Sequence, residues 1–197
     1  MNKGYFIVCE GLDCSGKTTS IENALEHFKK NEFSIEYNKG LKTKTLAGTF
    51  SRKFPSTLSL LTELLYNDVI LVKSRLEKGI NILQDRWYYS VLSYNPENRK
   101  DKHLEKVFVP LLSKPDVLIY FTVSLDERIR RLKKSIENKD HYTLLKNPEI
   151  IKQREERYLD YFNNFKGNKA IINTKNLSEK QSGVRLYDLI NYYLAKQ

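Results

Sequence analysis

The sequence predicts an α/β protein: a five-stranded parallel sheet flanked by helices on both faces. Three observations carry that prediction. Short apolar runs rich in branched and aromatic residues alternate with longer segments of helical periodicity along the whole chain. The clearest run, 117–123, is apolar on both faces, as a strand covered by crossover helices must be. A glycine-containing turn joins the first apolar run to the first helix.

The elements follow in order. The first strand is expected over 4–10 and the first helix over 17–31. A second strand over 33–37 leads into a basic, threonine-rich loop over 39–54, broken by Gly40 and Gly48. Ser56 reads as the N-cap of a long helix that keeps Leu58, Leu61, Leu65, Val72 and Leu76 near one face and stops at Gly79. The third strand, 80–84, ends against Asp85. After the fourth, Ser124 and Glu127 read as a capping box. Pro148 opens a helix that buries Tyr158, Tyr161, Phe162 and Phe165. A fifth strand over 170–173 precedes a terminal helix over 178–195, packed through Val184, Tyr187, Ile190 and Leu194. The 197 residues carry no repeat or linker and are read as one domain over 1–197.

Composition narrows the function classes. With 40% hydrophobic and 29% charged residues the chain is too apolar for a disordered tail. Thirty-four basic against 24 acidic residues leave a net charge of +10, which calls for an anionic partner. No apolar stretch approaches the ~20 residues of a membrane span. The run at 5–9 is stopped by Glu10, short of the ~7–15 apolar residues of an export signal. The expected location is therefore cytoplasmic, with Cys9 and Cys14 as reduced thiols. His27, His103 and His141 have no metal-ligand spacing.

Gly11, Leu12, Asp13, Cys14, Ser15, Gly16, Lys17 and Thr18 fit G-x-x-x-x-G-K-[ST] at every specified position, between a strand and a helix. Glycines there let backbone N–H groups turn towards a polyphosphate at a helix N-terminus. Lys17 adds a point charge for the outer phosphates, and the Thr18 hydroxyl is a Mg²⁺ ligand candidate. The fold class is thereby a P-loop NTPase type. Asp85 and Arg86 follow the third strand, at the sheet edge where ligands gather. A carboxylate there orients Mg²⁺ or accepts a proton, and an adjacent guanidinium grips a phosphate.

Three stretches resemble the thymidylate kinase family of P-loop nucleoside monophosphate kinases, which transfer the γ-phosphoryl group of ATP to dTMP. F-I-V-C-E-G-L-D-C-S-G-K-T-T, from Phe6 to Thr19, is similar to the family's F-x-x-x-E-G-x-D-x-x-G-K-T-T. D-R-W-Y-Y-S-V-L-S-Y-N, from Asp85 to Asn95, resembles D-R-Y-x-x-S-x-x-A-Y-Q. The stretch from Pro115 to Leu132 resembles P-D-x-x-x-x-L-x-V-x-x-x-x-A-x-x-R.

The resemblance implies ATP as phosphoryl donor, Mg²⁺, and a small nucleotide as acceptor. It implies that the loop residues through Thr19 hold the ATP phosphates and that Arg130 or Arg131 lies against the adenine. Lys17, Asp85 and Arg86 are the implied catalytic set, with Thr18 and Asp85 near the metal. Asp13 would face the acceptor sugar, Arg86 its phosphate, Tyr94 its base or sugar, and Asn95 its base. It further implies an acceptor-binding loop over about 38–54, a lid over about 133–147 that excludes water, and a homodimer.

The chain also departs from the family. Tyr37 to Thr43 stands where R-E-P-G-G-T is frequent, leaving Lys39 or Lys42 as point charges without the planar fork of arginine. Leu64 to Tyr66 stand where an arginine usually meets the base. Cys14 occupies the phosphate-loop position, and Asp140-His141-Tyr142-Thr143 the lid position, at which an arginine serves catalysis. Arg154, Arg157, Lys139 and Lys146 are candidate replacements.

Much of the positive charge sits in 39–53, 99–106 and 128–139, and two of these clusters adjoin the acceptor loop and the lid, so a positive funnel for nucleotides accounts for the charge better than nucleic acid does. Two alternatives remain at this point: a P-loop kinase for another nucleotide, nucleoside or metabolite, and an inactive nucleotide-binding regulator.

Overall fold

A computed structural model describes residues 3–31, 34–41, 43–94, 102–134 and 139–196. The elements are β1 (Phe6–Gly11), α1 (Lys17–Lys30), β2 (Ile35–Lys39), α2 (Leu46–Lys53) and α3 (Thr57–Asn67). A π-helical stretch, Asp68–Lys73, then runs into α4 (Ser74–Glu77). Next come β3 (Asn81–Asp85), α5 (Tyr88–Tyr94), α6 (Lys102–Phe108), β4 (Val117–Thr122), α7 (Leu125–Lys134) and α8 (Lys139–Lys146). The chain ends with α9 (Pro148–Asn164), β5 (Asn168–Asn173) and α10 (Glu179–Leu194).

All strand pairs are parallel, in the order β2-β3-β1-β4-β5. The alternation of β1 builds two cores from one strand. Phe6 and Val8 join Ile82, Leu118 and Tyr120 under α3, α5 and α9. Ile7 and Cys9 join Leu83, Ile119 and Phe121 under α1 and α10. Every residue of β1 is buried, so Gly11, at its carboxyl end, is held rigidly where the phosphate-loop motif begins.

Local signals set several boundaries where expected. Ser56 caps α3 by accepting from the Ser59 amide, and Gly79 takes a left-handed φ of 77° after α4. Ser178 caps α10 in a reciprocal box with Gln181.

Five expectations need correction. The second strand lies two residues later, at Ile35–Lys39, and its pairing with β3 puts Lys39 opposite Asp85. The segment 39–54 is not all loop, because Thr45 caps α2 by accepting from the Gly48 amide. α2 then docks on the buried carboxylate of Glu63, which accepts from the Thr43 amide (2.8 Å) and the Ser51 hydroxyl (2.5 Å). Leu58 is half exposed, since α3 buries Leu61 and Leu64 instead.

The Ser124 capping box does not form. Among the described residues the Ser124 hydroxyl has no hydrogen-bond partner, and Glu127 turns to Arg130 and Arg131. Finally, Val184 faces solvent while Gly183, Leu186 and Ile190 are buried. Gly183 sets that face because a Cβ there would overlap the Asn23 side chain of α1.

Candidate active site

The phosphate loop gets its shape from partners far away in sequence. Gly16 has φ 82° and Cys14 φ 59°, so the backbone turns sharply just before α1. The outer carbonyls of the turn are all engaged. Arg128 Nη1 donates to Asp13 O (2.9 Å), Arg131 Nη1 to Cys14 O (3.3 Å), and Thr174 Oγ1 to Ser15 O (2.8 Å). With those carbonyls held outward, the amides of Gly16, Lys17 and Thr18 remain at the start of α1, where no carbonyl of the same helix can receive them. That arrangement is an anion cradle.

Lys17 and Asp85 are both nearly buried, and the Lys17 ammonium contacts Asp85 Oδ1. Burial and the nearby Arg86 guanidinium lower the Lys17 ammonium to about 7, and the Glu10 carboxylate opposes them. The other oxygen of Asp85 accepts from the Tyr37 hydroxyl at 3.2 Å.

Arg86 follows with φ 68°, its amide donating to Cys9 O at 3.0 Å. Its guanidinium donates to Asp13 Oδ1 (2.6 Å) and Ser90 Oγ (3.2 Å) and lies 5.2 Å from the Tyr94 ring centre. Burial raises the Asp13 carboxyl, but Arg86 and the Tyr94 hydroxyl outweigh it and hold Asp13 below the ordinary range. The Asp13 amide in turn donates to the Tyr94 hydroxyl at 3.0 Å.

Beneath this pair lies Glu10. Its carboxylate accepts from the amides of Trp87 (2.7 Å) and Ser90 (3.1 Å) and from the hydroxyls of Ser90 (2.6 Å) and Tyr158 (3.1 Å). One buried acid thus ties β1, the Arg86 turn, α5 and α9 together.

The loop opens on a cleft of about 560 Å³. Leu12 to Thr19 line it together with Arg86, Arg130, Arg131, Thr174, Lys175 and Leu177. Thr18 is exposed there. Arg131 is fixed by Glu127 (2.7 Å) and Thr174 (3.0 and 3.1 Å), whereas Arg130 is mostly exposed and paired with Glu127.

Lys17, Asp85, Arg86, Asp13, Tyr94 and the phosphate loop therefore meet at one place. Lys39 stands at the adjacent strand end, exposed to solvent. Asn95 and Lys42 lie outside the described residues, as does the middle of the 133–147 segment, whose later part is α8. Sequence reasoning assigned no part to Arg128, Thr174, Tyr37 or Glu10. Only Glu10 carried a signal, as the acidic position of the first motif.

Among the described residues no group of three or more His, Cys, Asp and Glu side chains is placed to hold a metal. Of the two donors the motifs suggest, the Thr18 hydroxyl is exposed in the cleft and the Asp85 carboxylate is paired with Lys17. Such a sparse set fits Mg²⁺, which keeps several waters and takes its other ligands from substrate phosphates.

Two solved structures share the fold. The thymidylate kinase of Candida albicans superposes with a TM-score of 0.71 at 17% identity, covering 99% of this chain and 94% of that one. The thymidylate kinase of Ehrlichia chaffeensis gives 0.70 at 14% identity, covering 95% and 99%. The sequence itself matches the family profile "Thymidylate kinase" over residues 9–182, a span that holds the phosphate loop and the Asp85–Arg86 turn. By that match the chain belongs to the thymidylate kinase family.

Proposed function

We infer that this chain transfers the γ-phosphoryl group of ATP to dTMP, giving dTDP and ADP. Members of its family are ATP-dependent phosphotransferases acting on small nucleotides. The single observation that carries the reading is the meeting of a polyphosphate cradle with an acid–guanidinium pair on one cleft.

The roles follow from chemistry. The amides of residues 16–18 and Lys17 hold the β- and γ-phosphates, which requires Lys17 to exchange Asp85 for phosphate when ATP enters. Mg²⁺ would sit near Thr18 and Asp85, neutralising charge on the phosphates. Arg86 grips the acceptor phosphate and Asp13 faces its sugar. Tyr94 packs beside both, and Arg130 stacks on the adenine. Lys39 extends the positive field on the acceptor side, which the segment 38–54 bounds. Closure of 133–147 keeps water from competing with the acceptor oxygen.

Exposed apolar side chains on and just after α2, Leu46, Phe50 and Phe54, the last two with rings in contact, support a homodimer. No helix among the described residues is long and apolar enough to cross a membrane.

The test is coupled ADP release across a panel of monophosphates and nucleosides. The Candida albicans enzyme has broad substrate specificity, so the panel includes dUMP, dGMP and ribonucleotides beside dTMP. dTMP should give the highest kcat/KM. A larger value for another acceptor would replace dTMP, and retained ATP binding without transfer would make the chain a nucleotide-binding regulator.

A further inference from the structure

The arginines around the phosphate loop are nearly all committed to protein partners. Arg86 is bound to Asp13 and Ser90, Arg128 to Glu155 and the Asp13 carbonyl, and Arg131 to Glu127 and Thr174. Arg130 is bound to Glu127. Arg154 differs. Its guanidinium carbon lies 4.5 Å from the centre of the Tyr94 ring, and its Nε, like that of Arg128, is buried with no hydrogen-bond partner among the described residues. Among the described residues none forms an ion pair or hydrogen bond with it.

Its position is built into α9. Arg157 Nε donates to Ser93 O at 2.9 Å, and the Tyr158 hydroxyl meets Ser90 Oγ (2.7 Å) and Glu10 Oε2 (3.1 Å). Arg154 is one helical turn before Tyr158, on the same face, and so lands over Tyr94. The Tyr94 hydroxyl receives the Asp13 amide, so the guanidinium stands one aromatic ring away from the phosphate loop. Arg154, Asp13 and Leu12 line a common small pocket there. An aromatic face offsets only part of the cost of holding a partly buried cation without an anion. The missing partner is an anion, and phosphate oxygens match the planar fork.

We propose that Arg154 is a catalytic residue of the transfer, supplying from α9 the guanidinium that neither Cys14 nor His141 provides. This rests on the phosphotransfer reading above. In the step, an oxygen of the acceptor phosphate forms a bond to the γ-phosphorus while the bond from that phosphorus to the β,γ-bridging oxygen breaks. The electron pair leaves with ADP, and the Arg154 N–H groups carry charge on the phosphoryl oxygens in flight.

The experiment compares wild type, Arg154→Ala and Arg154→Lys in the full chain, with Lys152→Ala as a control on the exposed side of α9. Arg154→Ala should lower kcat by about 10²–10³, within the range such a guanidinium commands, while ATP affinity stays within about twofold. Millimolar guanidinium chloride, but not urea, should recover about tenfold or more of that loss, which a merely structural arginine would not allow. Arg154→Lys keeps a cation on Tyr94, and so the fold, yet should still lose about tenfold or more because the ammonium lacks the fork. A kcat within about threefold of wild type in either variant overturns the proposal, as does a loss that guanidinium leaves unchanged. The ratios are taken on whichever acceptor the wild type phosphorylates, so failure of dTMP counts against the reaction and not against Arg154.

Discussion

Replacing Lys17 by Met separates the structural from the catalytic part of the phosphate-loop lysine. The Lys17 and Asp85 side chains are 4% and 7% exposed, so the ion pair is out of water. Removing the ammonium leaves the Asp85 carboxylate buried with, among the described residues, the Tyr37 hydroxyl alone, 3.2 Å from its second oxygen. Breaking a buried pair from one side costs ~3–5 kcal/mol. For a chain of this size each kcal/mol moves Tm by ~2–4 °C, so Lys17→Met should unfold roughly 6–20 °C lower.

Adding Asp85→Asn removes the stranded charge, and the double variant should regain most of that loss, with a coupling of ~2–4 kcal/mol. Phosphoryl transfer should be absent from both the single and the double variant. The assay is thermal unfolding without nucleotide, followed by circular dichroism, beside coupled ADP release. A Lys17→Met protein melting within about 2 °C of wild type, or a double variant melting no higher than the single one, would refute the reasoning.

Three further outcomes follow from the same geometry. Burial pushes the Cys9 thiol up to about 12, whereas Cys14 is partly exposed in the cleft. A thiol-titrating disulfide reagent should therefore modify one cysteine of the native chain and both after unfolding, and ATP should slow the first. Gly40 packs against the turn that presents Arg86, and a methyl there would overlap the Arg86 carbonyl and the Gln84 amide. Gly40→Ala should cost ~1–3 kcal/mol in thermal unfolding and raise the acceptor KM more than the ATP KM. Asp13 has a folded pKa below its ordinary 3.8, so unfolded chains bind its proton first as pH falls. The Asp13–Arg86 contribution is complete above about 3.8 and fades below it, so the acid loss of Tm should be shallower in Arg86→Ala than in wild type.

The parts of this molecule that were legible in its sequence are those specified within a few residues. Gly16 and Lys17 announce the cradle, Ser56 and Ser178 start helices, and Gly79 stops one, because each acts on backbone groups beside it. The opaque parts depend on which elements the topology brings together. Thr174 closes the phosphate loop by donating to the Ser15 carbonyl across 159 residues, and Arg128 fixes the Asp13 carbonyl across 115. Neither pairing leaves a local trace.

Helix faces failed for the same reason. The α10 face was read from its largest apolar residues, yet contact with α1 requires the absence of a side chain at Gly183, which rotates Val184 outward. The helix α2 was hidden by Gly48, a residue that reads as a breaker alone but lets the helix approach Thr43 and Glu63. The Lys17–Asp85 contact was foreseeable as a neighbourhood, from consecutive motifs on adjoining strands. Tyr37, its third member, comes from an edge strand with no signal of its own.

The most direct test is calorimetric titration of wild type and Arg86→Ala with dTMP and, separately, with a non-hydrolysable ATP analogue. Loss of a charge-assisted guanidinium–phosphate contact of ~1.5–3 kcal/mol should weaken dTMP by roughly 10- to 150-fold and leave the ATP analogue within about twofold. An Arg86→Ala protein that binds dTMP as wild type does, or that loses the ATP analogue instead, would contradict the two-anion cleft.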